Sequence, residues 1–200
     1  MKSKHFQKEK ALVVGNGESR KRIDLNLFNR DKWEIYGCNA LYREFSPDHL
    51  IILDKGMREE FESEGRSFYG MSKYIYFVED IAEYEPMMSA GCMAIQVAMR
   101  HHKEIDIIGF DLETRDGLIN NVYKDSPHYM PSHKPSGGFI IDQYNLKVIC
   151  NRFDGGTITR VADNIPFELD KYMKHVTIEE YVSKVFSDNF HEHMRRTYAT

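Results

Sequence analysis

The stretch KALVVGNGESRKRIDL, residues 10–25, decides the fold. Its apolar run, Ala11 to Val14, lacks the polar alternation of a half-exposed strand and ends on Gly15-Asn16-Gly17. A hydroxyl residue, Ser19, and a basic cluster, Arg20-Lys21-Arg22, come next. A short continuous apolar run bounded by turn residues suits a strand buried on both faces, as in a parallel sheet between helical layers. Glycines directly after such a strand let the backbone approach a ligand, and the N–H groups of the following helical turn can bind a phosphate. On this reading Gly15, Asn16, Gly17 and Ser19 wrap the phosphate and Arg20 adds charge. Gly17→Val would then crowd the phosphate and leave the fold largely intact. The plain alternative is a tight turn without a ligand.

Five further strand candidates are Glu34–Cys38, Leu50–Leu53, Tyr74–Val78, Ile105–Ile108 and Lys147–Cys150. Helices are expected around Ile23–Phe28, Arg58–Glu64 and Ala90–Arg100. The alternation predicts an α/β, Rossmann-like architecture, with a mostly parallel sheet and helices on both faces. The stretch Glu113 to Gly138 has no period and is rich in Asp, Asn, Pro, Ser, His and Tyr; a loop of that length points to function or disorder. Thr177 and Glu180 have capping-box spacing, so a helix is expected from Ile178 to about Arg195. Two parts follow: a Rossmann-like nucleotide-binding domain over 1–165 and a C-terminal helical extension over 166–200. That helix would pack on the core or on a neighbouring subunit, which leaves a homo-oligomer open.

The 200 residues are enough for one domain with a substantial core. A net charge of −4 gives no global basic field for nucleic acid, although a local basic patch stays open. Cys38, Cys92 and Cys150 are odd in number, far apart and set in apolar runs, as buried free thiols of a reducing compartment would be. No membrane span and no signal peptide are read, and the expected location is cytoplasmic.

A dinucleotide fingerprint would need glycine where Arg20 stands and an acid after the second strand, where Gly37-Cys38-Asn39 lies; NAD is therefore disfavoured. Gly65 to Ser72 imitates a P-loop, but Met71 replaces its lysine and a strand follows it, so that reading is rejected. Asn39, just past a strand, is placed either to hydrogen-bond a base or ribose or to close a local turn. Ser89 and Gly91 open the helix at Ala90 and join the nucleotide-binding set. Asp111, at the end of the fifth strand, can orient a sugar, a metal or another side chain. There is no Asp-x-Asp, and no metal is inferred. His101-His102 and His191-Glu192-His193 are read as solvent-exposed. His128, Tyr129 and His133 in the long loop supply a proton acceptor and a neutral donor, or are bystanders.

The ordered set GNGES (15–19), YGCNALY (36–42), SAGCMAIQVA (89–98), KEIDIIGFDL (103–112) and HYMPSH (128–133) resembles the bacterial sialyltransferases that decorate lipooligosaccharide using CMP-sialic acid. It also looks like short phage proteins and, more remotely, pterin pyrophosphokinase-like proteins. The resemblance covers about Ala11 to Cys150. It implies that Asn16 and Ser19 contact the nucleotide phosphate and Asn39 the nucleotide. It also implies that Tyr123 and Tyr129 donate to the leaving phosphate and that His133 is the base, with His128 its rival. No cofactor would be required: a nucleotide sugar would be the donor substrate, and a glycan or a modified DNA base the acceptor. The chain departs from the family pattern at Glu18, which replaces Pro, at Arg20, which replaces an apolar residue, and in a spacing between His128 and His133 that is one residue longer. Two other readings stand beside it. One is a non-catalytic nucleotide binder. The other is a Mg²⁺-dependent pyrophosphokinase-like transferase using Asp54 and Asp111.

Overall fold

The apolar run that ends at Val14 becomes the central strand β1 (Lys10–Val14) of a parallel sheet. In the computed structural model, residues 8–63, 74–77, 88–112, 117–134, 140–165 and 169–198 are described. The other strands are β2 (Trp33–Cys38), β3 (His49–Ile52), β4 (Tyr74–Phe77), β5 (Glu104–Ile108), β6 (Thr157–Val161) and β7 (Lys174–Val176). Their spatial order is β4-β3-β2-β1-β5-β6-β7, and every neighbouring pair is parallel. The chain therefore builds outward from β1 to β4, crosses back, and builds the other way from β5. The strand order reverses between β1 and β5, and a sheet of this kind opens a ligand crevice there, beyond the carboxyl ends of the strands.

The alternation along β1 explains why the run is wholly apolar. Ala11 and Val13 join Ile105, Ile107 and Ile158 under α2 (Ala90–Met99) and α3 (Ile140–Arg152). Leu12 and Val14 join Ile35 and Ile108 on the opposite face, covered by α4 (Ile178–Tyr198) and by the segment holding Ile23, Leu25 and Phe28. Further along that sheet Leu50 and Ile52 pack on Met57 and Phe61 of α1 (Lys55–Ser63). With helices on both faces, neither side of the strand can be polar.

Two expected elements differ. Lys147–Cys150 is not a strand; it lies inside α3, with Leu146 and Ile149 buried three residues apart toward the α2 face. A short apolar run carries no period that separates strand from helix, and the burial spacing of 3 appears only once α3 has a partner. The sixth strand is instead Thr157–Val161. Ile23–Phe28 is not a helix either. Short 3-10 turns cover Glu18–Arg22 and Leu25–Leu27, and the Asp24 side chain accepts the Asn26 N–H at 2.9 Å and diverts the backbone.

The capping box at the start of α4 is formed: the Glu180 N–H donates to Thr177 Oγ1 at 3.3 Å, and the Thr177 N–H to Glu180 Oε2 at 3.2 Å. Ile178, Tyr181 and Val185 of this helix belong to the core. Residues 174–176 are a strand of the main sheet, so the region after 166 supplies β7 as well as a helix. Among the described residues no helix is long and apolar enough to cross a membrane.

At the amino ends of the strands, away from the crevice, a polar cluster is buried. Glu34 Oε1 lies 2.9 Å from His49 Nε2, and Glu34 Oε2 lies 3.2 Å from His102 Nε2. His102 also meets the Tyr36 hydroxyl at 3.1 Å, and His49 meets that of Tyr76 at 3.1 Å. His102 is therefore buried, contrary to the expected exposure of His101-His102, because it closes a hydrogen-bonded circuit that solvent would otherwise have to complete. Hydrogen bonds from His102 and then His49 hold the Glu34 carboxyl well below the usual range. A depressed carboxyl stabilises the fold fully above its unfolded value near 4.3 and loses that contribution as pH falls further. Glu34→Gln is expected to cost about 1–3 kcal/mol at pH 7, the typical penalty for stripping a buried hydrogen-bonded partner. In thermal unfolding followed by circular dichroism, the Tm gap to wild type should hold constant above about pH 5 and narrow below about pH 4.

Candidate functional site

The two turns that leave β1 and β5 meet backbone to backbone. The Gly15 N–H donates to Ile108 O at 2.8 Å, and the Gly17 N–H to Gly109 O at 2.8 Å. A Cβ on Gly15 would stand 2.5 Å from Gly109 O, and one on Gly17 would stand 2.6 Å from both Gly109 O and Asp111 Cγ. Gly109 has φ +70°, a conformation that favours glycine. The close neighbour of Gly17 is thus protein. The expectation that Gly17→Val would spare the fold is corrected: the added side chain would wedge the two turns apart.

Around these turns opens a crevice of about 240 Å³. Gly15, Asn16 and Gly17 line it from β1, and Gly109, Phe110 and Asp111 from β5. Cys38 and Asn39 come from the end of β2, Ser89 to Cys92 from the start of α2, and Asp142 from the first turn of α3. Ile119, Asn120, Asn121 and Tyr129 come from the loop over 117–134. That loop is stitched to the β1 turn: the Glu18 N–H donates to Asn120 O at 3.2 Å, and the Val122 N–H to Asn16 O at 2.9 Å. Gly15, Asn16, Gly17, Asn39, Ser89, Gly91, Asp111 and Tyr129 therefore share one wall-to-wall site, as the strand ends required.

Several of these groups are already engaged. Asp111 accepts the Ser19 N–H on Oδ2 at 2.9 Å and the Ser19 hydroxyl on Oδ1, so it orients another side chain. Asn39, at φ +46°, accepts the Leu53 N–H at 3.2 Å and donates to Asp54 at 2.7 Å, tying the end of β2 to the end of β3. Asp54 and Asp111 thus each have internal partners. Among the described residues no group of three His, Cys, Asp or Glu side chains could hold a metal ion.

Other expected members are elsewhere. Arg20 is buried, and its Nη2 bonds Glu44 and the Tyr123 hydroxyl, the latter at 2.8 Å, outside the crevice lining. A buried guanidinium must meet a carboxylate, and Glu44 supplies it on the far side of the turn. Tyr123 goes with that pair. His133 does not line the crevice: its Nδ1 lies 2.9 Å from Pro131 O, while its backbone forms an antiparallel bridge to Ile119. His128, at φ +66°, turns toward α1, with Nε2 3.5 Å from Glu60 Oε2. The Gly65–Ser72 stretch and the side chains of His191 and His193 lie outside the described residues.

What faces the crevice with unspent capacity is a short set. The N–H groups of Ala90 and Gly91 begin α2, where no carbonyl of their own helix can accept them. The Tyr129 hydroxyl accepts from Asn16 Nδ2 and from the Ala40 N–H, both at 3.3 Å, and its own proton has no acceptor among the described residues. Burial pushes this phenol upward, so it stays a donor at neutral pH. Asn16 Oδ1 is buried without a partner among the described residues. Asp142 has no hydrogen bond or ion pair among the described residues, and burial raises its carboxyl above the usual range. Burial pushes the Cys38 and Cys92 thiols each up to about 12, which makes them poor nucleophiles. Asn120, Asn121 and Asp142 were not singled out from the sequence. The pair of asparagines in a polar loop was a usable signal, whereas Asp142 was hidden by the missing helix.

Compared with known proteins, the chain matches no family model, no curated protein and no solved structure. Gly17→Ala tests the junction of the two turns without any ligand. Gly17 has φ −65°, open to any residue, so its cost would be purely steric. A loss of about 1–3 kcal/mol is expected in urea unfolding at constant m-value. An unchanged midpoint would mean that the turns part freely.

Proposed function

We propose that the protein binds a nucleotide sugar in the crevice between β1 and β5 and transfers the sugar to a hydroxyl acceptor without a metal ion. The observation that carries this reading is the meeting of two kinds of unspent donor at the switch point: the first N–H groups of α2 and the Tyr129 phenol. Helix N-termini favour anions, and a neutral phenol can hydrogen-bond a phosphate oxygen as negative charge grows on it. The bond that breaks joins the anomeric carbon to a phosphate oxygen. Its electron pair leaves with the phosphate, toward the Tyr129 proton. The resemblance to nucleotide-sugar-dependent sialyltransferases supports the same assignment of Tyr129.

Charge narrows the donor. Among the described lining residues there are two carboxylates, Asp111 and Asp142, and no lysine or arginine. Like charges repel strongly in a partly dry site. A nucleoside monophosphate sugar, whose phosphodiester carries one charge, suits such a crevice better than a diphosphate. The acceptor hydroxyl belongs to a glycan or a modified DNA base. A non-catalytic nucleotide binder is the second reading, favoured by the position of His128 and His133 outside the crevice lining.

Thermal-shift titration with CMP, UMP, GMP and AMP sugars, followed by donor cleavage in EDTA, tests the reading. One of these donors should raise Tm and be cleaved with EDTA present. Tyr129→Phe should lower cleavage by roughly 10²–10³-fold, the usual cost of losing one donor to a developing oxyanion. Binding of the nucleotide should stay within a few-fold. Binding without cleavage would establish the non-catalytic reading, and a strict need for Mg²⁺ would overturn the metal-free one.

A further inference from the structure

We propose that Asp142 is the base that takes the proton of the acceptor hydroxyl, the role that the resemblance assigns to His133. The inference rests on the transfer reading above. A base must reach the reacting centre, must not already hold a proton donor, and must be held rigidly. Asp142 lines the crevice and has no partner among the described residues, whereas Asp111, the other carboxylate of the lining, is occupied by Ser19. Its helix is anchored: Gln143 Nε2 donates to Leu112 O at 3.2 Å, and Leu146 and Ile149 sit in the core. Asp142 and the first turn of α2, which carries the donor N–H groups, line the same crevice.

The titratable groups that share the crevice are Asp111, Cys38, Cys92 and Tyr129, and among the described lining residues no cation faces Asp142. Burial alone raises its carboxyl, which makes it a stronger base than an exposed aspartate. In the step, the acceptor O–H bond breaks and its proton passes to the Asp142 carboxylate. The acceptor oxygen bonds the anomeric carbon, and the nucleotide phosphate departs with the electron pair of the old bond.

Asp142→Asn keeps the shape and removes the base. It should be compared with wild type in binding of CMP by calorimetry, in cleavage of the four nucleotide sugars, and in Tm against pH. Cleavage should fall by about 10² to 10⁴-fold, with CMP affinity kept within about three-fold. The acid limb of the wild-type rate profile should lie above the ordinary aspartate range near 4 and vanish in the variant. A carboxyl raised by folding stabilises below its unfolded value and loses that contribution as pH rises through the folded one. The variant should therefore have the higher Tm at pH 7, and the gain should disappear toward pH 4. Equal cleavage by the variant overturns the proposal and leaves the transfer reading standing. A parallel loss of CMP binding and cleavage overturns it in favour of a donor-holding carboxylate. A lower Tm at pH 7 overturns it in favour of a structural one. Cleavage of no donor by wild type sinks the transfer reading and this proposal together.

Discussion

The structure depends on the contact between two peptide turns that have no side chains at their meeting point. Gly15 and Gly109 lie so close that either Cβ would overlap the other's carbonyl. Hydrogen bonds from Gly15 and Gly17 to Ile108 and Gly109 extend the pairing of β1 and β5 past the end of the sheet. This junction is the floor of the crevice. It explains why the residues after Val14 are small and why Asp111 can reach across to cap the turn that begins at Glu18. Without it, Asn16 and Asp111 would belong to separate loops.

Two polar clusters stand at the two ends of the sheet. At the amino ends Glu34, His49, His102, Tyr36 and Tyr76 satisfy one another in the interior. At the carboxyl ends, around the crevice, Asn16 Oδ1, the Tyr129 proton and Asp142 have no partner among the described residues. A buried polar group without a partner costs stability, and such costs concentrate where a ligand completes the set.

Three acidic side chains near that end show how environment separates like residues. Asp54 is held by Asn39 and Asp111 by Ser19, which turns both into braces between strand ends. Asp142 lines the same space, and among the described lining residues no cation faces it. Arg20, the nearby cation, is paired with Glu44 outside the crevice lining.

The sequence by itself determined the centre of the sheet and its mouth. The run Ala11–Val14 followed by Gly-Asn-Gly, and the run Ile105–Ile108 followed by Gly-Phe-Asp, marked the two central strands and their turns, because a strand covered on both faces has a local signature. Thr177 and Glu180 marked the start of α4 for the same reason: a capping box is made by neighbours in the chain. Only the tertiary structure decided what depends on distant partners. Lys147–Cys150 is helical because Leu146 and Ile149 find the α2 face, a choice that four apolar-rich residues cannot express. Arg20 turns from the crevice because Glu44, far along the chain, neutralises it. His133 leaves the lining because its backbone pairs with Ile119, and Asp142 enters because α3 exists at all. Strand, turn and cap are set by adjacent residues, whereas the direction in which a charged side chain points is set by the charges that folding brings to meet it.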